Sequence, residues 1–244
     1  MLKKAFISIV ALVSISYQAL AKSNDTYILM DSQVNNNGQK INFKTLVWYS
    51  EDKVRMENDL QNASELNIPQ NMSKSVFLYD LKNKNMFVMM PNNKTAIKID
   101  NNTAKQMGNN FGSPMPSNLN TDFLYDKDKI RDEIKKMGGK MTGSETVLGQ
   151  LCDIWEYSNS ITNPQTQEKD IFYSKLWISN KLNIPLKIEI TSASKGKIIV
   201  VKAKEIKTNQ DFKEDIFNVP KDYQITDMQK MMKDILQIQQ NKSK

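Results

Sequence analysis

Hydrophobic residues recur at every second position in many short segments of this chain, and polar turn residues separate the segments. The stretch Val54–Glu57 shows the pattern clearly, because its apolar and charged side chains would face opposite sides of a strand. Asn and Gly in the run Asn35–Gly38 favour a tight turn. The pattern therefore predicts a mainly β protein of roughly ten short antiparallel strands in two groups. The predicted strands are 27–30, 41–49, 54–57, 76–81, 86–90 and 95–99, then 144–148, 151–157, 171–178, 185–191 and 198–206.

Residues 101–139 separate the two groups of strands and lack the two-residue period. The first part is rich in Gly, Pro, Ser and Asn, which predicts an irregular crossing loop. An apolar stripe at helical spacing then predicts a helix over 126–137, which the pair Gly138–Gly139 would end. A second, Met-rich helix is predicted near the C-terminus, and Thr226 or Asp227 could cap it.

Several of the predicted strands are apolar on both faces. Leu46 and Trp48 alternate with Val47 and Tyr49, so neither side of this strand is polar. A sheet with one face in water would not need such a pattern. Strands at this spacing suggest a sandwich or a barrel. We expect one face to meet a helix and the other to meet a ligand or a second layer.

The first 21 residues have the pattern of a secretory signal peptide. Lys3 and Lys4 form a basic start, residues 5–15 form an apolar run, and Ala19–Ala21 provides a small-residue cleavage site. The apolar run is shorter than the roughly 20 residues that span a bilayer. We expect cleavage near Ala21 and a mature chain that is soluble outside the cytoplasm. An uncleaved N-terminal anchor is the alternative.

The composition argues against several classes of function. The chain has no histidine, so it lacks the usual general base, the usual zinc ligand and the usual partner of a nucleophile. Carboxylate pairs such as Glu51–Asp52 fall at turns, where solvated side chains are expected. We therefore expect neither an enzyme nor a metal or cofactor site. The single cysteine, Cys152, cannot form an internal disulfide, and its apolar neighbours predict a buried thiol.

The positive charge of the chain is carried mostly by scattered lysines. Lys and Arg total 34 against 27 for Asp and Glu, but the only arginines are Arg55 and Arg131. Nucleic-acid sites usually rely on arginine for bidentate contacts, so binding of nucleic acid is not expected. A weak attraction to an anionic membrane surface, screened by salt, is compatible with this charge.

The apolar residues of the predicted strands are suited to holding an acyl chain. Each buried methylene of a guest chain contributes about 0.8 kcal/mol, so affinity would not require polar anchors. The alternative for each residue is an ordinary core position. The candidates for lining an apolar cavity are Trp48, Met56, Phe77, Tyr79, Phe87, Met89, Phe172, Trp177, Leu186 and Ile188.

Four segments of the chain resemble LolA-like periplasmic proteins, whose type member is an outer-membrane lipoprotein carrier. The segment Tyr49–Glu57 is similar to the early strand pair of that family, and residues 78–90 are similar to the hairpin that follows. The segment Gly143–Cys152 resembles an uncharacterised branch rather than LolA itself. The ending Phe217–Tyr223 resembles the closing strand of the family. The resemblance covers most of residues 26–226.

The LolA-like resemblance implies an open antiparallel half-barrel over residues 22–226, with helices covering its concave face. The helical insert 101–139 belongs to this domain, and residues 227–244 form a Met-rich helix and tail. An arginine on an early strand helps to hold the lid shut in LolA, so Arg55 is a candidate lid contact. The alternative is that Arg55 interacts with the neighbourhood of Glu57 on the surface of the strand.

Members of this family carry lipoprotein acyl chains, bind other lipids or sense envelope components in the periplasm. We therefore expect a non-catalytic periplasmic carrier whose partner is a lipid or an acyl chain. The alternative is an envelope interaction or sensor protein that docks a protein partner through its C-terminal helix.

Overall fold

The computed structural model describes residues 25–36, 38–66, 69, 73–100, 103, 130–162 and 169–231. In these ranges the chain forms twelve strands, a short α-helix, α1 (Ile130–Lys136), and the first turn of a C-terminal helix at 228–231. The strands are β1 (Thr26–Asn36), β2 (Gln39–Tyr49), β3 (Lys53–Leu60), β4 (Lys74–Asp80), β5 (Asn85–Met90), β6 (Thr95–Asp100), β7 (Lys140–Val147), β8 (Gln150–Thr162), β9 (Lys169–Ser179), β10 (Pro185–Ser192), β11 (Gly196–Lys207) and β12 (Gln224–Asp227). The short 3-10 helices are Pro91–Asn93 and Glu214–Phe217.

All twelve strands belong to one sheet, in the order β12-β6-β5-β4-β3-β2-β1-β11-β10-β9-β8-β7. β2 to β6 form one meander and β7 to β11 a second. β1 joins the two meanders, because it pairs with β2 on one side and β11 on the other. Neighbouring strands are antiparallel except β12, which runs parallel to β6. The prediction of a mainly β, open antiparallel sheet in two groups of strands is confirmed, with twelve strands in place of roughly ten.

β1 is longer than its predicted apolar segment, because a polar stretch continues the same alternation. Ser32 and Val34 are buried while Asp31 and Gln33 are exposed. β1 pairs with β2 as far as Asn36, and the turn that follows contains Gly38 at a φ of +85°. This left-handed conformation favours glycine, so the turn predicted from the Asn-Gly run is confirmed.

The position predicted for the closing strand is wrong. Residues Phe217–Tyr223 do not form a strand: a 3-10 helix ends at Phe217, and the N–H of Tyr223 donates to the carbonyl of Pro220 in a turn. Pro220 has no N–H to give to a strand ladder, which is the physical reason. The last strand, β12, begins one residue after Tyr223.

Helix α1 lies within the predicted segment 126–137 and ends where the glycine pair was expected to end it. Gly138 has a φ of +81° and donates its N–H to the carbonyl of Lys135 at 2.9 Å. A Cβ on Gly139 would overlap Cγ2 of Ile134, so glycine is needed there. Asp126 and Asp128, either of which could cap this helix by its position in the sequence, lie outside the described ranges.

The C-terminal helix begins where the sequence predicted. Residues 228–231 are helical, and Oδ1 of Asp227 accepts the N–H groups of Gln229 at 2.9 Å and Lys230 at 3.2 Å. Asp227 is therefore the N-cap. The remainder of the predicted Met-rich helix lies outside the described residues. In the described part of the chain, no helix has the length and apolar character needed to cross a bilayer.

Strand alternation divides the sheet into two faces. Ile28, Val47, Met56 and Phe77 are direct cross-strand neighbours on β1 to β4, and we call their side the inner face. The inner face carries most of the main hydrophobic core, which joins residues from both meanders in one cluster. Helix α1 contributes Ile130 and Ile134 to the same cluster.

The opposite side of the sheet is called the outer face. Trp48, Arg55 and Leu78 are direct neighbours on β2, β3 and β4 there. This face has its own small cluster of buried apolar side chains at β4, β5 and β6. Its members are Val76, Leu78, Met89 and Ala96.

Candidate functional site

The ten predicted lining residues do not share one face of the sheet. Cross-strand register and the two-residue alternation of each strand assign them. Those on the inner face are Met56, Phe77, Tyr79, Phe172, Leu186 and Ile188. Those on the outer face are Trp48, Phe87, Met89 and Trp177. One apolar cavity against the sheet can therefore include only the first group, and their role as ligand contacts stays a prediction.

The inner face of the central strands is free of charge. Every charged residue of β1 to β6, β10 and β11 lies on the outer face, as the strand registers show. Two lysines at bulges of β11 follow the same rule, because Lys197 pairs with Glu189 and Lys204 with Asp31 on that side. This segregation is already present in the alternation of the sequence. It leaves an inner surface of apolar and small polar side chains.

A short polar row crosses the inner face at the centre of the sheet. Thr45 and Asn58 are direct cross-strand neighbours on β2 and β3, and Oγ1 of Thr45 donates to Oδ1 of Asn58 at 2.8 Å. Ser32 lies diagonally beside Thr45 on β1. The three residues are 0 to 5 % exposed. Sequence reasoning missed this row, although Asn at an otherwise apolar position of an alternating strand is the signal that could have found it.

Three buried polar groups on the inner face have no hydrogen-bond partner in the described part of the chain. They are Oγ of Ser32, Nδ2 of Asn58 and Nε1 of Trp155. A buried donor without an acceptor costs about 1–3 kcal/mol, so such groups in a native protein call for an explanation. Two of the three, Nδ2 of Asn58 and Nε1 of Trp155, can only donate.

Arg55 lies on the outer face, on the side opposite Met56. Its Nε donates to Oε1 of Glu57 at 2.7 Å, which is the strand-surface pairing considered as its alternative role. Its Nη1 also donates to the carbonyl oxygen of Ile216 at 2.6 Å, and its guanidinium lies 5.9 Å from the ring centre of Trp48. Arg55 thus connects β3 to a segment 161 residues further along the chain.

The segment held by Arg55 covers part of the outer face, and we call residues 212–223 the outer strap. Val219 and Tyr223 pack against the outer cluster at β4 to β6. Lys94 forms an ion pair of 2.9 Å with Asp222, and the hydrogen bond between them lowers the pKa of the Asp222 carboxyl. Both partners are exposed, so this pair contributes little to stability. The apolar contacts and Arg55 are what hold the outer strap.

Trp177 lies in a polar setting on the outer face of the second meander. Its Nε1 donates to Oε2 of Glu145 at 2.7 Å, across the intervening strand β8. Nζ of Lys187 lies 3.8 Å and Nζ of Lys175 5.3 Å from the centre of its ring. These cation–π contacts and the hydrogen bond connect β9 and β10 to the edge strand β7.

The thiol of Cys152 is buried, as predicted, and burial raises its pKa to about 11. We expect the native protein to react with a thiol reagent at pH 8 at least about 100-fold more slowly than the unfolded chain, because the thiolate fraction falls tenfold per pKa unit. Between pH 9 and 11 the folded chain keeps a proton that the unfolded chain loses, so stability should fall as pH rises. Equal rates of modification in native and unfolded protein would contradict the predicted protection of the Cys152 thiol.

No group of three or more cysteine and carboxylate side chains is arranged for a metal ion within the described ranges. No model of a known protein family matches the sequence, and no curated protein matches it.

Several solved structures are similar to this chain. An uncharacterised conserved protein from Thermus thermophilus has a TM-score of 0.49 and 8 % identity, over 90 % of this chain and 99 % of that one. A domain assigned to an outer membrane lipoprotein-sorting protein of Vibrio parahaemolyticus has a TM-score of 0.39 and 12 % identity, over 89 % and 95 % of the two chains. A chain of the Pseudomonas aeruginosa MucA/MucB complex has a TM-score of 0.45 and 10 % identity, over 88 % of this chain.

These structural neighbours include a domain assigned to a lipoprotein-sorting protein. This chain spans 62 % of the matched chain of the MucA/MucB complex. With TM-scores of 0.39 to 0.49 and identities of 8 to 12 %, none of these likenesses supports a conclusion about this chain.

Proposed function

We propose that this protein is a non-catalytic periplasmic carrier that holds a lipid or an acyl chain against the inner face of its sheet. The observation that supports the proposal is the charge-free inner face of β1 to β6, β10 and β11. Met56, Phe77 and Ile188 place hydrocarbon on this side, within one buried apolar cluster. An alkyl chain needs no other kind of contact for affinity. Ten methylenes at about 0.8 kcal/mol each would give ample gross binding free energy.

Two features of the sequence support export and the absence of catalysis. The N-terminal pattern of a signal peptide lies outside the described residues and directs the chain out of the cytoplasm. The chain has no histidine, so it lacks the usual general base and the usual zinc ligand. A carrier in the aqueous space between two membranes requires an apolar surface and no reactive group.

The first test is mass spectrometry of organic extracts from protein purified out of the exporting cell without detergent. We expect an acyl lipid at a stoichiometry near one per chain. A matched second measurement uses delipidated protein and displacement of a fluorescent aliphatic probe by methyl myristate. Repeated absence of lipid from the extracts, together with no displacement by methyl myristate, would contradict the proposal.

A further inference from the structure

We infer that Asn58 binds the neutral carbonyl oxygen of an ester-linked or amide-linked acyl chain, with Thr45 as the residue that positions its amide. This inference rests on the proposed function and adds the chemical class of the group next to the alkyl chain. It uses the Thr45–Asn58 pair of the inner face, a polar pair that an apolar ligand alone would not require.

The hydrogen bond from Thr45 determines which end of the Asn58 amide is available. Oγ1 of Thr45 donates to Oδ1 of Asn58 at 2.8 Å, in a buried contact between adjacent strands. The carbonyl end of the amide is therefore occupied. Nδ2 is buried and has no acceptor among the described residues. A side chain held in this way presents two N–H groups that require an acceptor.

The surroundings of Asn58 select a neutral acceptor over a carboxylate. No charged side chain lies on the inner face of β1 to β6, so an ionised fatty acid would find no cation there. Burying an unpaired carboxylate is far more costly than burying an ester or amide carbonyl. Arg55, the nearest arginine in sequence, is on the outer face and is bound to Glu57 and Ile216.

The environment of Asn58 also explains why a polar residue occupies this position. Its strand neighbours on the same face are Met56 and Leu60, both buried and apolar. A leucine at position 58 would continue that pattern and avoid an unused donor. A ligand carbonyl supplies the acceptor that Nδ2 of Asn58 lacks, and this accounts for the amide at position 58.

The experiment compares four probes of similar length on delipidated full-length mature protein: methyl myristate, N-methylmyristamide, myristate at pH 8 and pentadecane. Affinities are measured by displacement of the fluorescent aliphatic probe. We expect the ester and the amide to bind roughly 3- to 10-fold more tightly than pentadecane, the factor that one net hydrogen bond supplies. We expect myristate to bind more weakly than the ester.

The test variant is Thr45→Val/Asn58→Leu, which replaces both partners of the buried hydrogen bond by apolar groups. It should bind all neutral probes alike and keep the wild-type affinity for pentadecane. The matched control is Ser32→Ala, which removes another buried, unpartnered polar group of the inner face and should keep the preference for carbonyl probes. If the double variant does not fold, Asn58→Ala tests the same loss.

The possible outcomes separate the two proposals. A preference for the ester that survives in Thr45→Val/Asn58→Leu, or myristate binding as tightly as methyl myristate, would overturn the role of Asn58 and leave the carrier proposal intact. Failure of the wild-type protein to bind any of the four probes would instead overturn the carrier proposal.

Discussion

A chain that ends at Asp211 is expected to lose roughly 3–6 kcal/mol of its free energy of unfolding. Val219 and Tyr223 are partly buried and contribute about 0.8–1.5 kcal/mol each, half of the value for full burial, and the hydrogen bond from Arg55 contributes about 1–3 kcal/mol. The truncation removes the outer strap, which packs against Val76, Leu78 and Met89 on the outer face, and also the edge strand β12, which pairs with β6. It also removes the carbonyl that accepts the hydrogen bond from Arg55. Single domains are stable by only about 5–15 kcal/mol, so the shortened chain should be marginal.

The measurement for the outer strap is the midpoint of unfolding in guanidinium chloride. The control is a chain that ends at Met231, which keeps the outer strap and β12 and should unfold close to the wild-type midpoint. Arg55→Ala provides an intermediate case, with an expected loss of about 1–3 kcal/mol from a broken charged hydrogen bond. An unchanged midpoint for the chain that ends at Asp211 would show that the outer strap does not stabilise the sheet. Should that chain aggregate, the Arg55→Ala variant still reports on the contact.

Replacement of Trp177 by alanine should cost about 3–5 kcal/mol, the usual loss for a buried tryptophan. The indole is 3 % exposed, and its removal leaves Glu145 without the N–H that it accepts. Lys187 and Lys175 would also lose the ring over which they lie. Hydrogen exchange should accelerate in the edge strand β7, because Glu145 is its connection to Trp177.

The matched control for this variant is Trp48→Ala, on the outer face of the first meander. Trp48 is only partly buried, so the loss of stability should be clearly smaller. Both variants should keep the wild-type affinity for methyl myristate as long as they are folded, since neither residue lies on the inner face. Loss of ester binding in folded Trp177→Ala, with wild-type binding in Trp48→Ala, would place the ligand against the outer face of the second meander.

Alternation along the chain was sufficient to predict eleven of the twelve strands and most of their turns, but it did not predict β12. The alternation also separated charged from apolar residues onto opposite faces of each strand. Arg55 and Glu57 alternate with Met56 in β3, and the same rule holds along the neighbouring strands. Local signals were reliable where the physical cause is local. Gly138 ends α1, and Asp227 caps the last helix by accepting N–H groups from the residues two and three positions further along the chain.

The choice of candidate site residues from the sequence was only partly useful, because alternation defines two faces without relating the faces of different strands. Met56 and Trp48 are both apolar, yet the register of β2 and β3 places them on opposite sides. A shift of one residue in that register would exchange every side chain between the two faces. Asn58 was missed because the predicted strand stopped at Glu57, whereas β3 continues to Leu60. Its hydrogen bond to Thr45 also lies on another strand, which the sequence does not reveal.

The sequence by itself determined the strand content, the turn chemistry and the separation of charged from uncharged positions, because each of these depends on residues close together in the chain. Only the tertiary structure decided which apolar face receives the outer strap, and so where Arg55 makes its long-range contact. It also brought Thr45 to Asn58 and Glu145 to Trp177. These pairings depend on the order and register of strands in the sheet, which follow from burial of the whole chain rather than from any one segment of it.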